Sequence, residues 1–135
     1  MTANNANRDN LIYPDLSYAL IGAAFRVGNG LGYGLSEKAY QDALAKELRD
    51  QKISFKREVY IPIIYKQEKV SRYFADFLVE NKIILELKVV RKLGYTHIQQ
   101  TLNYLRSSGF KLAILVYFTR DGVKYRRVLN SRVEA

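Results

Sequence analysis

The sequence predicts an α/β domain with a central mixed β-sheet flanked by helices, in the order α-α-β-β-β-α-β-β. Three segments repeat apolar residues at helical spacing, and five others alternate or run continuously apolar as strands do. Short polar or glycine-containing links separate these segments. A chain of 135 residues suits one domain. We therefore expect a flexible N-terminal arm over residues 1–10 and a single domain over residues 11–135.

Apolar stripes and capping residues predict the three helices. The first covers residues 16–27, the second begins at the N-cap Ser36 and reaches residue 50, and the third covers residues 95–108 and stops at Gly109. Between the first two, the glycine-rich segment 28–34 is expected to be a flexible bend with positive φ angles. This segment has neither the Gly-Lys-Ser/Thr ending of a P-loop nor the preceding strand of a dinucleotide-binding motif.

Five strands are predicted, at residues 55–65, 72–79, 82–90, 111–118 and 123–129. The short link Glu80-Asn81-Lys82 makes the second and third strands a hairpin. Asp121-Gly122 predicts a turn between the last two strands. The fourth strand is almost continuously apolar, which is typical of a strand that is covered on both faces.

Composition and charge narrow the function classes. Lys and Arg number 22 against 13 Asp and Glu, and this net charge of +9 favours nucleic acid as a partner. The absence of cysteine excludes thiolate metal sites and cysteine nucleophiles, and one histidine, His97, excludes sites with two histidine ligands from one chain. No apolar run reaches the roughly 18 residues of a membrane span, so we expect no membrane association and a cytoplasmic location.

The third strand carries charges in the middle of an apolar run. Strand alternation places Glu86 and Lys88 on one face, and the hairpin brings Asp76 of the second strand close to them. Two neighbouring carboxylates repel each other and need a cation, and hard oxygen ligands suit Mg²⁺ or Mn²⁺. Such an ion polarises a phosphodiester and activates water, while a lysine orients that water or stabilises phosphate charge. A structural Asp–Lys–Glu salt-bridge network remains the alternative explanation.

Four short motifs give the sequence a family resemblance. Asp76, nine further residues and Glu86-Leu87-Lys88 resemble the D-xn-(D/E)-x-K signature of the PD-(D/E)xK nuclease superfamily. Residues 34–40, from Gly34 through Glu37 to Tyr40, resemble the motif of the GxxExxY protein family, a branch of that superfamily. His97, Gln100 and Tyr104 resemble the HxxQ and QxxxY helix of RecB-like and lambda-exonuclease-like members. The element order is similar to their restriction-endonuclease-like core.

The resemblance implies a role for each matched position. Asp76 and Glu86 would bind Mg²⁺ or Mn²⁺, together with the backbone carbonyl of Leu87, and Lys88 would assist the attacking water. Glu37 would add a carboxylate directly or through a water. Gln100 and Tyr104 would position the DNA phosphate or the catalytic lysine. The implied activity is metal-dependent hydrolysis of DNA phosphodiester bonds.

Some of these positions have simpler explanations. Glu37 could complement the dipole at its helix N-terminus. Tyr40 lies on the apolar stripe of its helix and is expected in the core, and His97 is expected to be a hydrogen-bonding helix residue rather than a ligand. The sequence also departs from the family pattern, because Ala75 replaces the proline before Asp76 and Phe74 stands where the branch often has a basic residue.

Basic residues outside the motifs are candidates for contacts with the nucleic-acid backbone, and some of the eleven tyrosines could stack on bases. The basic candidates are Lys52, Lys56, Arg57, Arg72, Arg91, Lys92, Lys124, Arg126 and Arg127. Two alternatives to a nuclease stay open: a non-catalytic module that binds nucleic acid or a partner, and a purely structural domain. The sequence leaves open whether the protein forms a homodimer or acts with a partner protein.

Overall fold

The computed structural model describes residues 12–91 and 95–130, so the expected arm over residues 1–10 lies outside its described part. The described elements follow the predicted order of two helices, three strands, one helix and two strands. Their bounds are α1 (Pro14–Leu31), α2 (Glu37–Asp50), β1 (Phe55–Tyr65), β2 (Glu68–Val79), β3 (Ile83–Val89), α3 (Tyr95–Ser108), β4 (Leu112–Thr119) and β5 (Gly122–Leu129). None of these helices is both long and apolar enough to cross a membrane.

The five strands form one mixed sheet in the order β1-β2-β3-β4-β5. Three neighbouring pairs are antiparallel, and β3 with β4 is the parallel pair. The chain passes from β3 to β4 through α3, because parallel neighbours need a crossover connection. The structure therefore confirms the predicted mixed sheet and the β2–β3 hairpin.

Apolar side chains cover both faces of the sheet. On one face, α1 and α2 contribute residues such as Leu20 and Leu44 to a core with Phe77, Leu85 and Val116. On the other face, Leu105 of α3 joins a smaller core with Ile61, Ile84, Leu115 and Tyr117. The chain thus folds as three layers, with helices on either side of the sheet.

The predicted alternation of β3 holds. Ile83, Leu85 and Leu87 pack in the core beneath α1 and α2. Ile84 packs in the core beneath α3. Because side chains of a strand alternate between faces, Glu86 and Lys88 belong to the α3 face. The charged pair therefore lies on the side of the sheet that only one helix covers.

The prediction of a glycine-rich bend over residues 28–34 is wrong for its first half. Helix α1 continues to Leu31, and the positive φ angles begin only at Gly32 (71°) and Gly34 (116°). Gly28 lies in the helix where α1 presses against the sheet. A Cβ at this position would lie 2.2 Å from Cγ2 of Val123 and 3.5 Å from Cδ1 of Phe118. Gly28 thus permits close helix–sheet packing rather than a bend.

Replacing Gly28 with alanine should destabilise the fold. The added methyl group collides with the β-branched Val123, and overpacking of this kind costs about 1–3 kcal/mol. The matched control is Gly30→Ala, two residues further along the same helix, where an added Cβ has nothing within 4 Å. Since alanine is the better helix former by about 1 kcal/mol, we expect the control to hold or gain stability in urea unfolding. Equal stability of both variants would contradict the close packing.

Strand β2 begins at Glu68, four residues before the predicted start at residue 72. It pairs with β1 from Phe55 opposite Val79 to Tyr65 opposite Glu68, with a shift of register between Ile63 and Ile64. The turn residues Lys66 and Gln67 both have positive φ, at 47° and 69°. Two-residue hairpin turns of this kind usually contain Asn or Gly, so Lys-Gln gave no turn signal.

Candidate active site

The candidate site lies where β2 separates from β3. Their backbone pairing covers Phe77 to Val79 opposite Ile83 to Leu85 and stops before Asp76. The side chains of β2 also change faces here, because Ala75 packs in the α3-side core whereas Phe77 packs in the opposite core. Regular alternation would place these two residues on the same face. Asp76 therefore occupies a break in the strand, at an opening in the sheet.

Two carboxylates span this opening through backbone hydrogen bonds. The Leu87 amide donates to Oδ2 of Asp76 at 2.8 Å, and the Asp76 amide donates to Oε2 of Glu86 at 3.3 Å. Within the described residues, Oδ1 of Asp76 and Oε1 of Glu86 have no hydrogen bond or ion pair. The backbone amides thus hold each carboxylate by one oxygen and leave the other oxygen available to a ligand.

Burial makes it costly for these two groups to be charged. Glu86 is 5% exposed, and burial raises the pKa of its carboxyl from 4.5 to about 7 despite the opposing effects of the Asp76 amide and Lys88. Burial also raises the pKa of Asp76, and the Leu87 amide and Lys88 oppose that rise. The negative charge of Glu37 raises the pKa of both carboxyls. A cation beside them would stabilise their ionised forms.

Glu37 reaches this neighbourhood from the first turn of α2. The Ser36 side chain accepts a hydrogen bond from the Ala39 amide, which confirms Ser36 as the N-cap. The hydroxyl of Tyr40 donates to the Gly32 carbonyl and accepts from the Leu35 amide, and its ring stacks on Phe118 at 4.3 Å. Tyr40 is fully buried, which confirms the prediction that it is a core residue. It therefore ties the turn before α2 to the core and positions the helix start that carries Glu37.

Lys88 lies near both carboxylates without pairing with either. Its charge lowers the pKa of Asp76 and of Glu86. The ion pairs found among residues 12–91 and 95–130 do not include Lys88, Asp76 or Glu86. A structural salt-bridge network would join these groups directly. Lys88 therefore acts on the two carboxyls through its charge, without a direct ion pair among the described residues.

The donor set fits a hard divalent cation bound by two carboxylates. Asp76 and Glu86 each have an uncommitted oxygen, and carboxylate oxygens are the ligands that Mg²⁺ and Mn²⁺ prefer. Across the part of the chain that the structure describes, no three Asp, Glu or His side chains form one ready-made ligand group. Glu37 acts on both carboxyls through its charge, and its contribution to a cation site, directly or through a water, stays a prediction.

Gln100 and Tyr104 lie on α3 and contact each other. Nε2 of Gln100 donates to the Tyr104 hydroxyl at 3.4 Å, and the Tyr104 ring stacks on Tyr73 of β2 at 4.0 Å. Among the described contacts, neither residue touches Asp76, Glu86 or Lys88. The side chain of His97 lies outside the described part of the chain. The proposed contacts of Gln100 and Tyr104 with phosphate stay predictions.

The basic candidates do not form one patch. Lys124 and Arg126 belong to the α3 face, because Tyr117 and Leu115 of that face stand opposite them on β4. Glu86 of β3 stands opposite Leu115 of β4. The backbones of Arg126 and Glu86 are therefore two strand spacings apart, about 10 Å. These two cations thus share the face of the candidate site.

The other basic candidates have different surroundings. The guanidinium of Arg57 pairs with Asp42 at 2.9 Å. The guanidinium of Arg127 donates to the Ile12 carbonyl at 2.6 Å, which connects β5 to the segment before α1. Lys92 lies outside the described residues. Those on the open surface are Lys52, Lys56, Arg72 and Arg91.

Glu58 is an acidic neighbour of the site that the sequence analysis missed. It lies on β1 between Arg57 and Val59, whose partners Phe77 and Ala75 flank Asp76. Its φ of 51° is in the left-handed region, and its charge raises the pKa of Asp76. The alternating pattern of β1 makes Glu58 look like an ordinary surface residue, so only the register reveals its position.

Comparisons with known proteins identify the family. The family model described as the PD-(D/E)XK nuclease superfamily matches residues 14–128. A search of the curated proteins found no significant match. The crystal structure of SSO0001 superposes with a TM-score of 0.55 at 21% identity over 68% of this chain, which shows a shared fold. This chain spans 48% of that protein. The family match covers nearly all of the described fold, and the chain belongs to the PD-(D/E)XK nuclease superfamily.

Proposed function

We propose that the protein is a metal-dependent nuclease that hydrolyses DNA phosphodiester bonds at the Asp76–Glu86 site. The observation that carries this proposal is a pair of adjacent carboxylates, Glu86 buried and Asp76 half-buried, with raised pKa values and with one oxygen of each left uncommitted. Membership of a nuclease superfamily supports the reaction class. The net charge of +9 supports a polyanionic substrate.

Each residue of the site has a separate task in this proposal. Asp76 and Glu86, with the Leu87 carbonyl, would hold Mg²⁺ or Mn²⁺. When bound, the cation supplies Lewis-acid polarisation of the phosphodiester and activation of water. Lys88 orients the attacking water or neutralises charge that develops on the phosphate. Lys124 and Arg126, on the same face, draw the backbone of the substrate across the sheet.

We also propose that the chain belongs to the GxxExxY branch. The support comes from residues 34–40. Gly34 has a φ of 116°, and the Tyr40 hydroxyl donates a hydrogen bond to the Gly32 carbonyl in the preceding turn. This arrangement leaves Glu37 in the first turn of α2, where its charge acts on both Asp76 and Glu86. The glycine, the glutamate and the tyrosine of the motif thus have distinct structural tasks.

The proposed function is tested by comparing DNA cleavage by wild type with DNA cleavage by the Asp76→Asn variant. The asparagine oxygen can still accept from the Leu87 amide, but the charge that binds the cation is lost. With Mg²⁺ or Mn²⁺ and single-stranded, duplex and branched DNA, we expect wild-type cleavage that EDTA abolishes. The cleavage rate of the variant should be at least about 100-fold lower than that of wild type, because loss of electrostatic stabilisation of the transition state has effects on this scale.

The matched control is Asp50→Asn, which makes the same charge change at the exposed end of α2. It should cleave within about twofold of wild type, since side chains this far from the reaction add little. Metal-independent cleavage, or an Asp76→Asn variant as active as the control, would refute the proposed nuclease. Retained DNA binding with no cleavage of any of these substrates would favour a non-catalytic binding module.

A further inference from the structure

The β1–β2 hairpin carries an exposed surface of aromatic and basic side chains that the proposed reaction does not use. Tyr60 is 42% exposed and Phe74 is 52% exposed, although large apolar side chains are usually covered. The two residues stand opposite each other in the hairpin, with ring centroids 5.7 Å apart. Cations lie over both rings, because Lys69 is 5.5 Å from the Tyr60 centroid and Arg72 is 5.9 Å from that of Phe74. We call Tyr60, Lys69, Arg72 and Phe74 the hairpin face.

The hairpin face lies beside Asp76 along β2, on the side of the sheet opposite α3. Phe74 precedes Asp76 by two residues, a separation of about 7 Å along a strand. The residue between Phe74 and Arg72, Tyr73, points the other way and stacks on Tyr104 of α3. The α3 side of the hairpin is therefore covered, whereas the hairpin face is exposed on the opposite side and ends two residues before Asp76, at the opening between β2 and β3.

We propose that the hairpin face binds single-stranded nucleic acid by stacking unpaired bases on Tyr60 and Phe74 and delivers that strand to Asp76. Exposed rings offer surfaces on which bases stack, and the cations over them complement the phosphates between those bases. In duplex DNA the bases are already stacked on each other, so the two rings select a single-stranded segment. The inference rests on the proposed function for the fate of the bound strand but not for the binding itself.

Binding in EDTA separates this inference from cleavage. The probes are a fluorescent 15-mer of thymidylate, an abasic phosphodiester of the same length and a 15-base-pair duplex, each followed by fluorescence anisotropy. Wild type should bind the thymidylate at least about fivefold more tightly than the abasic chain, because each stacked base contributes on this scale or more. Both probes carry the same phosphates, so the difference reports base contacts.

The variants are Phe74→Leu and Tyr60→Leu, which keep apolar side chains on the strand but remove the rings. Each should weaken thymidylate binding by roughly 5- to 100-fold and abasic binding by less than about twofold. Tyr18→Leu is the control, since Tyr18 is 83% exposed on α1 and outside the hairpin face. It should bind both probes as wild type does.

Several results would overturn the inference. Equal wild-type binding of thymidylate and abasic chains, tighter binding of the duplex, or no effect of either ring variant would each exclude base stacking here. Sedimentation in which wild type self-associates and Phe74→Leu does not, with unchanged thymidylate binding, would instead assign the hairpin face to contacts between copies of the chain. If wild type cleaves DNA but the ring variants bind the probes as wild type does, the proposed nuclease stands and the inference about the hairpin face fails. If binding depends on the bases but no DNA is cleaved, the inference about the hairpin face stands and the proposed nuclease fails.

Discussion

Lys88→Met should reduce DNA cleavage by about 100-fold or more while metal binding is retained. Lys88 influences both carboxylates electrostatically but forms no ion pair with them in the described part of the chain. Methionine fills a similar volume without the charge, so the fold should persist. The loss should appear in kcat, because a group that orients water or neutralises developing charge acts mainly in the transition state. Single-turnover cleavage with saturating Mn²⁺ measures it.

Lys82→Met is the matched control for this substitution. Lys82 immediately precedes the same strand, is exposed and lies four residues before Glu86. The control should cleave within about twofold of wild type, since exposed positions contribute little. If Lys88→Met abolished Mn²⁺ binding or unfolded the chain, Lys88 would be part of a structural network instead.

The stability of the metal-free protein should decrease as the pH rises from about 4.5 to about 7. The pKa of Glu86 is raised from 4.5 to about 7 in the folded state, so the folded chain binds more protons than the unfolded chain in this window. Stability is therefore highest below the unfolded value and is lost as the pH passes through the folded value. This shift corresponds to a loss of about 3 kcal/mol above pH 7. Urea unfolding in EDTA at several pH values measures it.

The substitution Glu86→Gln removes the titrating carboxyl and should remove this pH dependence of stability. Glutamine stays neutral at every pH, so the variant should be more stable than metal-free wild type at pH 8 and similar to it at pH 4.5. Saturating Mn²⁺ should restore the stability of wild type at pH 8 but not affect the variant, because a ligand that binds only the folded state stabilises it. A difference between the two proteins that does not change with pH would contradict the raised pKa of Glu86.

Much of the fold was predictable because its signals are local. Helical spacing and caps gave α2 and α3, and the link at residues 80–82 gave the β2–β3 hairpin. The structure confirms these elements and the alternation that turns Glu86 toward α3. Gly28 was misread because glycine in a helix signals a bend when seen alone. Its structural reason is the approach of Val123, 95 residues further along the chain.

The candidate site was predictable only in part. The motif spacing brought Asp76 and Glu86 together, and the structure adds the two backbone amides that hold one oxygen of each. Glu58 was missed because its nearness to Asp76 depends on strand register and a left-handed backbone conformation. Phe74 was noticed as a departure from the family pattern, but its pairing with Tyr60 depends on the register of β1 and β2.

The most direct test of the account is calorimetric titration of the protein with Mn²⁺ at pH 8, beside Asp76→Asn and the control Asp50→Asn. We expect one site in wild type and in the control, with no detectable binding to Asp76→Asn and no loss of its stability. Asparagine keeps the hydrogen bond to the Leu87 amide and relieves the repulsion with Glu86. Absence of Mn²⁺ binding to wild type, or a loss of about 3–5 kcal/mol in Asp76→Asn, would show instead that the carboxylates are structural partners.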